Sequence, residues 1–290
     1  MTARVLITGG GGQLASDLEE RLAVSARVWA PAHRELDITD DAAVAQALER
    51  ADPDTVFNCA AFHVVDDCER DEDRAFAVNV RAVKRLAERC AERSAKLIHV
   101  STNYVFDGRR DEPYSEHDAA NPRSVYAISK LAGEHAALAY APGALIVRTG
   151  GLYGLHGSAA KGGSFVTRLI SAAGRGDAIA MVADQRLNPT YTGDLATAMA
   201  DAVARDASGI VHLTNAEACS WYEFSSEILH LAAIAARIEP VATRRPSGAA
   251  ERPLNGALVS VAGAPALRPW KEALRDYMER ASLLAGVASR

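Results

Sequence analysis

A short apolar strand, RVLIT (Arg4 to Thr8), runs without a spacer into a glycine cluster at Gly9 to Gly12 and then into an amphipathic stretch from Gln13 to Val24. This order constrains the chain more than any other feature, because a strand that turns at once into a helix must lay that helix back across its own sheet. Further β-rich runs follow at Arg27 to Ala30, Thr55 to Cys59, Lys96 to Ser101 and Ala144 to Arg148, each separated from the next by helical or connecting sequence. The alternation predicts βαβ units, hence a mostly parallel sheet with helices on both faces and ligands beyond the carboxyl ends of its strands. Between Ala75 and Ser94, Val78, Ala82, Leu86 and Cys90 recur every fourth residue while Arg81, Lys84, Arg85, Glu88 and Arg89 stand elsewhere, which predicts one continuous amphipathic helix.

The glycine cluster carries chemistry as well as geometry. Gly9, Gly12 and Ala15 keep a GxxGxxG spacing with alanine in the last place. Glycine allows a tight turn and close backbone approach to a pyrophosphate, whose charge then faces the amino end of the following helix. A glycine cluster by itself is also what a flexible turn looks like; its place between first strand and first helix favours a dinucleotide. Beyond the second strand, where an acid often meets the ribose of NAD, the chain has Ala30 and Pro31 followed by His33 and Arg34. Arg34 either pairs with a 2'-phosphate, favouring NADPH while leaving NADH open, or is a solvated surface charge. Asp37, in LDITD, either helps seat the adenosine or caps the next helix, where Asp40 and Asp41 are also good starters. At the end of the third strand, the small Cys59, Ala60 and Ala61 of NCAAF leave room for a flat ring and its ribose, whereas the acidic run Asp66 to Asp73 reads as a solvated helix start rather than a metal site.

After about residue 150 the pattern loosens. Gly150, Gly151, Gly154, Gly157, Gly162 and Gly163 crowd one stretch and predict loops and a mobile lid, with later helices near Thr192 to Arg205, Trp221 to Ala235 and Trp270 to Leu284. The fold class is therefore α/β: a Rossmann-like, doubly wound, mostly parallel sheet over 1–150 that binds NAD(P), and a smaller C-terminal substrate-binding region over 151–290, partly interleaved with the first. Trp221 and Trp270 read as packing anchors.

YAISK places Tyr126 and Lys130 four residues apart in a helical pattern, so both project from one face, about 6 Å apart along the axis. A neighbouring ammonium favours the phenolate, so the spacing predicts a tyrosine pKa below its ordinary value and a phenol able to exchange protons. Upstream, HVSTNYVFDG puts Thr102 at the carboxyl end of the fourth strand, where its hydroxyl meets a substrate carbonyl beside Tyr126.

Other classes recede. A net charge of -5 gives no reason to expect nucleic acid or an anionic membrane as partner. No apolar run approaches the roughly 18 residues of a membrane span, and MTARVLIT opens with a strand rather than a leader, so a cytoplasmic protein is expected. Cys59, Cys68, Cys90 and Cys219 lack CxxC pairing and read as buried free thiols; His63, His99 and His117 lack ligand spacing, and no metal is expected.

Together the glycine loop, STNYVFDG and YAISK resemble the extended short-chain dehydrogenase/reductase superfamily. Within it, GGQL, LDITD, VNV, YAISKLAGE, VRTGGLYG, the DQ and PT of DQRLNPTYTGDLA, and RRP resemble the dTDP-4-dehydrorhamnose reductase family over nearly the full length. The resemblance implies a catalytic triad of Thr102, Tyr126 and Lys130, with Tyr126 donating a proton while hydride from the nicotinamide reaches the sugar C4 carbonyl. Lys130 also holds the nicotinamide ribose. It further implies cofactor contacts through the loop at Gly9, Gly12, Gln13 and Leu14, near Asp37, along Ala60, Ala61 and Phe62, and at Asn79. Arg186, with Asn188 and Thr190, either reaches the diphosphate of a nucleotide-sugar substrate or lies in a plain surface loop.

Two departures fall on the sugar side. Asn103 stands where the family has aspartate, and Gly151 where it commonly has a tryptophan, so sugar contacts at Thr102, Asn103 and Gly151 are expected to differ. Two other roles share this fold: a nucleotide-sugar epimerase or dehydratase that retains its cofactor, and a non-catalytic regulatory subunit resembling the methionine adenosyltransferase β subunit. A homodimer is left open.

Overall fold

The computed structural model describes residues 2–157, 163–176 and 178–284. In chain order the elements are β1 (Ala3–Thr8), α1 (Gln13–Ala23), β2 (Ala26–Trp29), α2 (Asp41–Ala51), β3 (Thr55–Asn58), α3 (Val65–Arg70), α4 (Glu72–Phe76), a π-helical turn (Ala77–Arg81), α5 (Ala82–Glu92) and β4 (Lys96–Thr102). A 3₁₀ turn (Asn103–Val105), α6 (Val125–Tyr140), β5 (Leu145–Thr149), β6 (Leu152–Tyr153), α7 (Phe165–Gly174), β7 (Ile179–Val182), β8 (Arg186–Leu187) and β9 (Thr190–Tyr191) follow. The chain then runs through α8 (Thr192–Ala204), β10 (Gly209–His212), β11 (Cys219–Ser220), α9 (Trp221–Leu231), β12 (Ile238–Val241) and α10 (Trp270–Arg280).

Six parallel strands form the central sheet in the order β10-β5-β4-β3-β1-β2. The chain order reverses between β1 and β3, which is the switch point where a doubly wound sheet opens a crevice at its carboxyl edge. All five expected strands are present within a residue or two. The sixth, β10, comes from beyond residue 200 and extends the sheet at the β5 edge.

Both faces of the sheet are covered. Leu6, Val56, Leu97 and Ile146 pack under α2, α5 and α6 through Val44, Leu48, Val83, Leu86 and Ala137. On the other face Ile7, Phe57, Ile98 and Val147 meet Leu14 and Leu18 of α1 and Leu195 and Met199 of α8. Alternate residues of each strand thus serve opposite cores, as the pleat requires. A third core, built from Tyr153, Tyr191, Phe224, Trp270 and Tyr277, holds α7, α9 and α10 together. Trp270 stands edge-on to Phe224 at 5.6 Å between ring centres, and Trp221 tilts against Phe165 at 4.8 Å, so both act as packing anchors.

Helix starts follow side-chain chemistry. Asp40 accepts hydrogen bonds from the Ala42 and Ala43 amides to cap α2, Ser124 caps α6, and Ser220 with Glu223 makes a reciprocal capping box on α9. The expected single helix over Ala75 to Ser94 is broken by the π turn at Ala77–Arg81. The extra residue in that turn rotates Asn79 into the protein, where it is almost fully buried. Gly162 and the central part of the expected lid, 158–162, lie outside the described residues.

One buried ion pair ties the catalytic helix down. Glu134 of α6 accepts a forked pair of hydrogen bonds from Arg148 of β5, at 3.0 Å to Oε1 and 2.7 Å to Oε2, and a further one from the Ser101 hydroxyl on β4. With the carboxylate bonded from both β4 and β5, the pair fixes how α6 lies across these strands.

Candidate active site

The glycine loop leaves β1 with Gly9 at a φ of 77°, in the left-handed region. A β-carbon there would stand 2.9 Å from the Ala60 nitrogen, and one on Gly10 would stand 2.1 Å from the Ala30 carbonyl oxygen, so the loop is pressed between the ends of β2 and β3. Gly12 is the cap residue of α1 and provides no side chain, leaving the amides of the first turn pointing beyond the sheet edge. Gln13 turns a buried side-chain oxygen inward without a partner, while Leu14 points into the core and offers only its backbone. Uncapped amides and a loop with no room for side chains fit the pyrophosphate of a dinucleotide.

Around this loop, Ala60, Ala61 and Phe62 continue from β3 as half-buried backbone. Asn79 holds that segment rather than opening its amide to a ligand: it accepts from the Phe62 nitrogen at 2.9 Å and donates to the Phe62 oxygen and to the Ser129 hydroxyl, both at 3.0 Å. Asp37 accepts from the nitrogen and hydroxyl of Thr39 and so shapes the turn before α2, whose cap is Asp40. Arg34 is exposed beyond β2, without a carboxylate partner among the described residues.

Thr102, Tyr126 and Lys130 converge at the carboxyl end of β4. The Thr102 hydroxyl faces the Tyr126 phenol, donates to Asn103 Oδ1 at 3.4 Å and accepts from the Tyr104 amide at 3.2 Å. Burial pushes the Tyr126 phenol well above its usual pKa, and the nearby Thr102 hydroxyl pulls it back only in part. The lowering expected from an adjacent ammonium is therefore absent. Lys130 donates instead to the Val100 carbonyl at 2.7 Å and faces His99 at 3.4 Å. Burial lowers its pKa from 10.5 to about 8, against the opposing influence of Glu134 and Cys59. A neutral phenol suits a proton donor, and a buried lysine that titrates near neutrality suits a group that resupplies one.

The expected sugar contacts take different positions. Asn103 is buried and donates to the Gly256 carbonyl at 2.8 Å; β-carbons on Gly150 or Gly256 would lie 2.5 Å and 2.4 Å from its amide atoms. It pins β4 to the C-terminal segment. Gly151 has a φ of 61°, and a β-carbon there would meet Leu187 at 2.6 Å and the Asn188 oxygen at 2.9 Å. The Leu187 side chain and the 188–189 backbone therefore fill the space where a large side chain at 151 would go. Arg186 lines a cleft of about 710 Å³ with Arg109, Arg110, Arg244, Arg245 and Arg252.

Sequence reasoning passed over Asp66. Its carboxylate accepts from the Ala250 amide at 3.0 Å and from Arg252 at 2.8 Å, and Arg252 also bonds Tyr104, whose ring stands edge-on to Tyr126. The expected solvated acidic run thus closes one side of the site against a partner 186 residues away. Asp17, Glu20 and His156 also bring their ligand atoms within 4.8 Å of one another at the start of α1, a grouping no local spacing signals.

The chain matches the model of the RmlD substrate binding domain over residues 3–283. A probable dTDP-4,6-dihydroxy-2-methyloxan-3-one 4-ketoreductase of Streptomyces antibioticus is 42% identical, over 94% of each chain. The dTDP-4-dehydrorhamnose reductase of Mycolicibacterium smegmatis is 38% identical, over 95% of this chain and 85% of its own. Among solved structures, dTDP-4-dehydrorhamnose reductase of Bacillus anthracis in complex with NADP superposes with a TM-score of 0.91 at 32% identity, over 97% of this chain and 100% of that one. The uncapped helix behind a glycine loop, the Thr102–Tyr126 contact and a match running from β1 to beyond α10 agree, and the chain belongs to the RmlD substrate binding domain family.

Proposed function

We propose that this protein is an NADPH-dependent ketoreductase that reduces the C4 ketone of a dTDP-4-keto-6-deoxysugar, converting dTDP-4-dehydrorhamnose to dTDP-L-rhamnose. The observation that carries the reading is the Thr102 hydroxyl facing a Tyr126 phenol that burial keeps protonated, at the carboxyl end of β4. The nicotinamide supplies the hydride when bound; the amides of Gln13 and Leu14 would hold the pyrophosphate of the dinucleotide, the 60–62 backbone would flank it, and Lys130 would hold the nicotinamide ribose. Tyr126 passes its phenolic proton to the carbonyl oxygen, Thr102 orients that oxygen, and Lys130 restores the proton.

The arginine cleft is the natural seat for the nucleotide diphosphate. Arg110 is held by Asp118, Arg245 by Glu251 and Arg252 by Asp66, whereas Arg109, Arg186 and Arg244 make no salt bridge among the described residues, Arg109 lying near Asp107 and Arg186 near Glu223. Their charge is therefore available to a phosphate. In this reading residues from 151 onward form the substrate region, except that α8 and β10 return to the nucleotide-binding sheet. Four free thiols suit a reducing compartment such as the cytoplasm. No described helix is long and apolar enough to cross a membrane.

The test is NADPH and NADH oxidation by the purified protein with dTDP-6-deoxy-L-lyxo-4-hexulose made in situ, with the product identified by chromatography. Brisk consumption yielding dTDP-L-rhamnose is the expected result. Because the Asn103 amide nitrogen is engaged by the Gly256 carbonyl and one 42% relative is named for a different dTDP-linked ketone, other dTDP-4-keto-deoxysugars belong in the same panel. Cofactor binding with no turnover on any of them would overturn the reading and favour a regulatory role.

A further inference from the structure

Thr8 and Asn58, at the ends of β1 and β3, sit side by side in register with His99 in the middle of β4, all fully buried on the face that α6 covers. The Thr8 hydroxyl donates to Asn58 Oδ1 at 2.7 Å, Asn58 Nδ2 donates to His99 Nδ1 at 3.0 Å, and His99 Nε2 faces Lys130 Nζ at 3.4 Å. This row of polar side chains crosses three strands to end on one lysine. Neither sequence motif contains it, because the three residues become neighbours only through strand register.

The row has two complete hydrogen-bond patterns. With Asn58 Nδ2 turned to the ring, the neutral imidazole carries its proton on Nε2 and presents a donor to Lys130, which suits a free amine with its lone pair. With the Asn58 amide turned over, Oδ1 accepts from an Nδ1 proton, Nδ2 donates to Thr8, and bare Nε2 accepts from an ammonium. Only the Asn58 amide has to turn between the two, since its nitrogen and oxygen are nearly the same size and an imidazole's proton sits on either nitrogen. The ring stays neutral in both, because burial and then the Lys130 charge hold His99 well below its ordinary pKa.

We propose that His99 is a positioning residue for Lys130, switching tautomer with the Asn58 amide so that the lysine has a matched partner both as ammonium and as free amine. The inference rests on the reading in which Lys130 resupplies the proton that Tyr126 gives up. In that cycle the lysine passes through both forms, and a rigid donor or a rigid acceptor at position 99 would oppose one of them. The other groups facing Lys130 do not change in this way: Cys59 beyond β3 is a thiol whose pKa burial pushes up to about 12, and Glu134 of α6 is committed to Arg148 and Ser101. On the remaining side stands the Val100 carbonyl, which accepts from Lys130.

The test reads the ring directly. In cofactor-free protein labelled with nitrogen-15 histidine, the His99 Nδ1 and Nε2 resonances should exchange their pyrrole-like and pyridine-like positions as pH passes about 8, the value at which Lys130 titrates. The exchange should vanish in Lys130→Met. One fixed tautomer across that range, or an exchange that survives in Lys130→Met, would overturn the inference. Turnover then supplies an independent check. In His99→Phe the ammonium loses an acceptor worth more than the donor lost by the amine, so the kcat profile should move about one pH unit downward with KM unchanged, and His99→Gln should recover part of the shift. A fall in kcat with the profile unmoved would assign His99 a purely structural part. Full turnover in Lys130→Met would instead defeat the catalytic reading itself, an outcome the nitrogen resonances keep distinct.

Discussion

The position of the missing β-carbon on Gly133 lies 2.3 Å from the Asn79 carbonyl oxygen, so α6 rests directly on the backbone of the π turn. The Asn79 side chain also bonds Ser129 of the same helix, at 3.0 Å. Gly133→Ala must push the helix and the turn apart. We expect a loss of about 1–3 kcal/mol in urea denaturation together with reduced kcat, since the catalytic helix is displaced. Unchanged stability would mean that α6 can shift freely, and that its docking does not set the active-site geometry.

Removing only the proton donor separates chemistry from folding. Tyr126→Phe should keep the melting temperature and the cofactor affinity of the parent and lose turnover by about 10²–10⁴-fold. Thr102→Val should lower kcat as well, because it removes the hydroxyl that partly offsets the burial of the phenol. Turnover near the parent value in Tyr126→Phe would remove the residue from the mechanism.

Lys130 leaves a mark on stability that can be measured without substrate. Its folded pKa, about 8, lies below the unfolded value of 10.5, so between those pH values the unfolded chain binds more protons and stability rises with pH. Below pH 8 the ammonium is buried at a penalty of about 3 kcal/mol, which is relieved as pH climbs towards 10.5. Lys130→Met should therefore be more stable than the parent at pH 7, with the advantage shrinking steadily above pH 8. An advantage that stayed constant with pH would show that the lysine is not titrating in this window.

Arg34 tests the cofactor end. It is exposed, has no carboxylate partner among the described residues, and follows the strand where an acid would otherwise meet a ribose. Arg34→Ala should raise KM for NADPH about tenfold or more and leave NADH nearly unaffected, the signature of one charge-assisted bond to a 2'-phosphate. Equal losses with both cofactors would make it a general contributor instead.

How much of this could be read from the chain itself depends on the range of the interaction. The first five strands and the glycine loop were legible because a strand and its turn are written in consecutive residues. Thr102, Tyr126 and Lys130 were legible because each sits at a defined place on one local element. The π turn was not, since Val78, Ala82, Leu86 and Cys90 satisfy an uninterrupted helix equally well, and only Asn79 facing inward reveals the extra residue. The Tyr126 pKa was misjudged in direction, because spacing shows the neighbouring lysine and says nothing about how deeply the phenol is buried. Asp66 with Arg252, Asn58 with His99, and Gly151 against Leu187 all join residues far apart in sequence, so no motif contains both members.

Asn103 brings these strands of argument together. The resemblance makes it a departure from an aspartate and so a candidate for altered sugar contact, yet its amide nitrogen is spent on the Gly256 carbonyl, 153 residues away, at 2.8 Å. An aspartate in this position would set a carboxylate oxygen against that carbonyl oxygen, acceptor against acceptor, in a buried place. The substitution that restores the family's usual residue should therefore destabilise this protein. We expect Asn103→Asp to cost about 1–3 kcal/mol near neutral pH, with part of the loss recovered on acidification as the carboxyl gains a proton and can donate again. Denaturation measured at two pH values decides it: a neutral or stabilising effect at pH 7 would mean that the Gly256 contact is not what keeps asparagine here, and would return position 103 to the sugar.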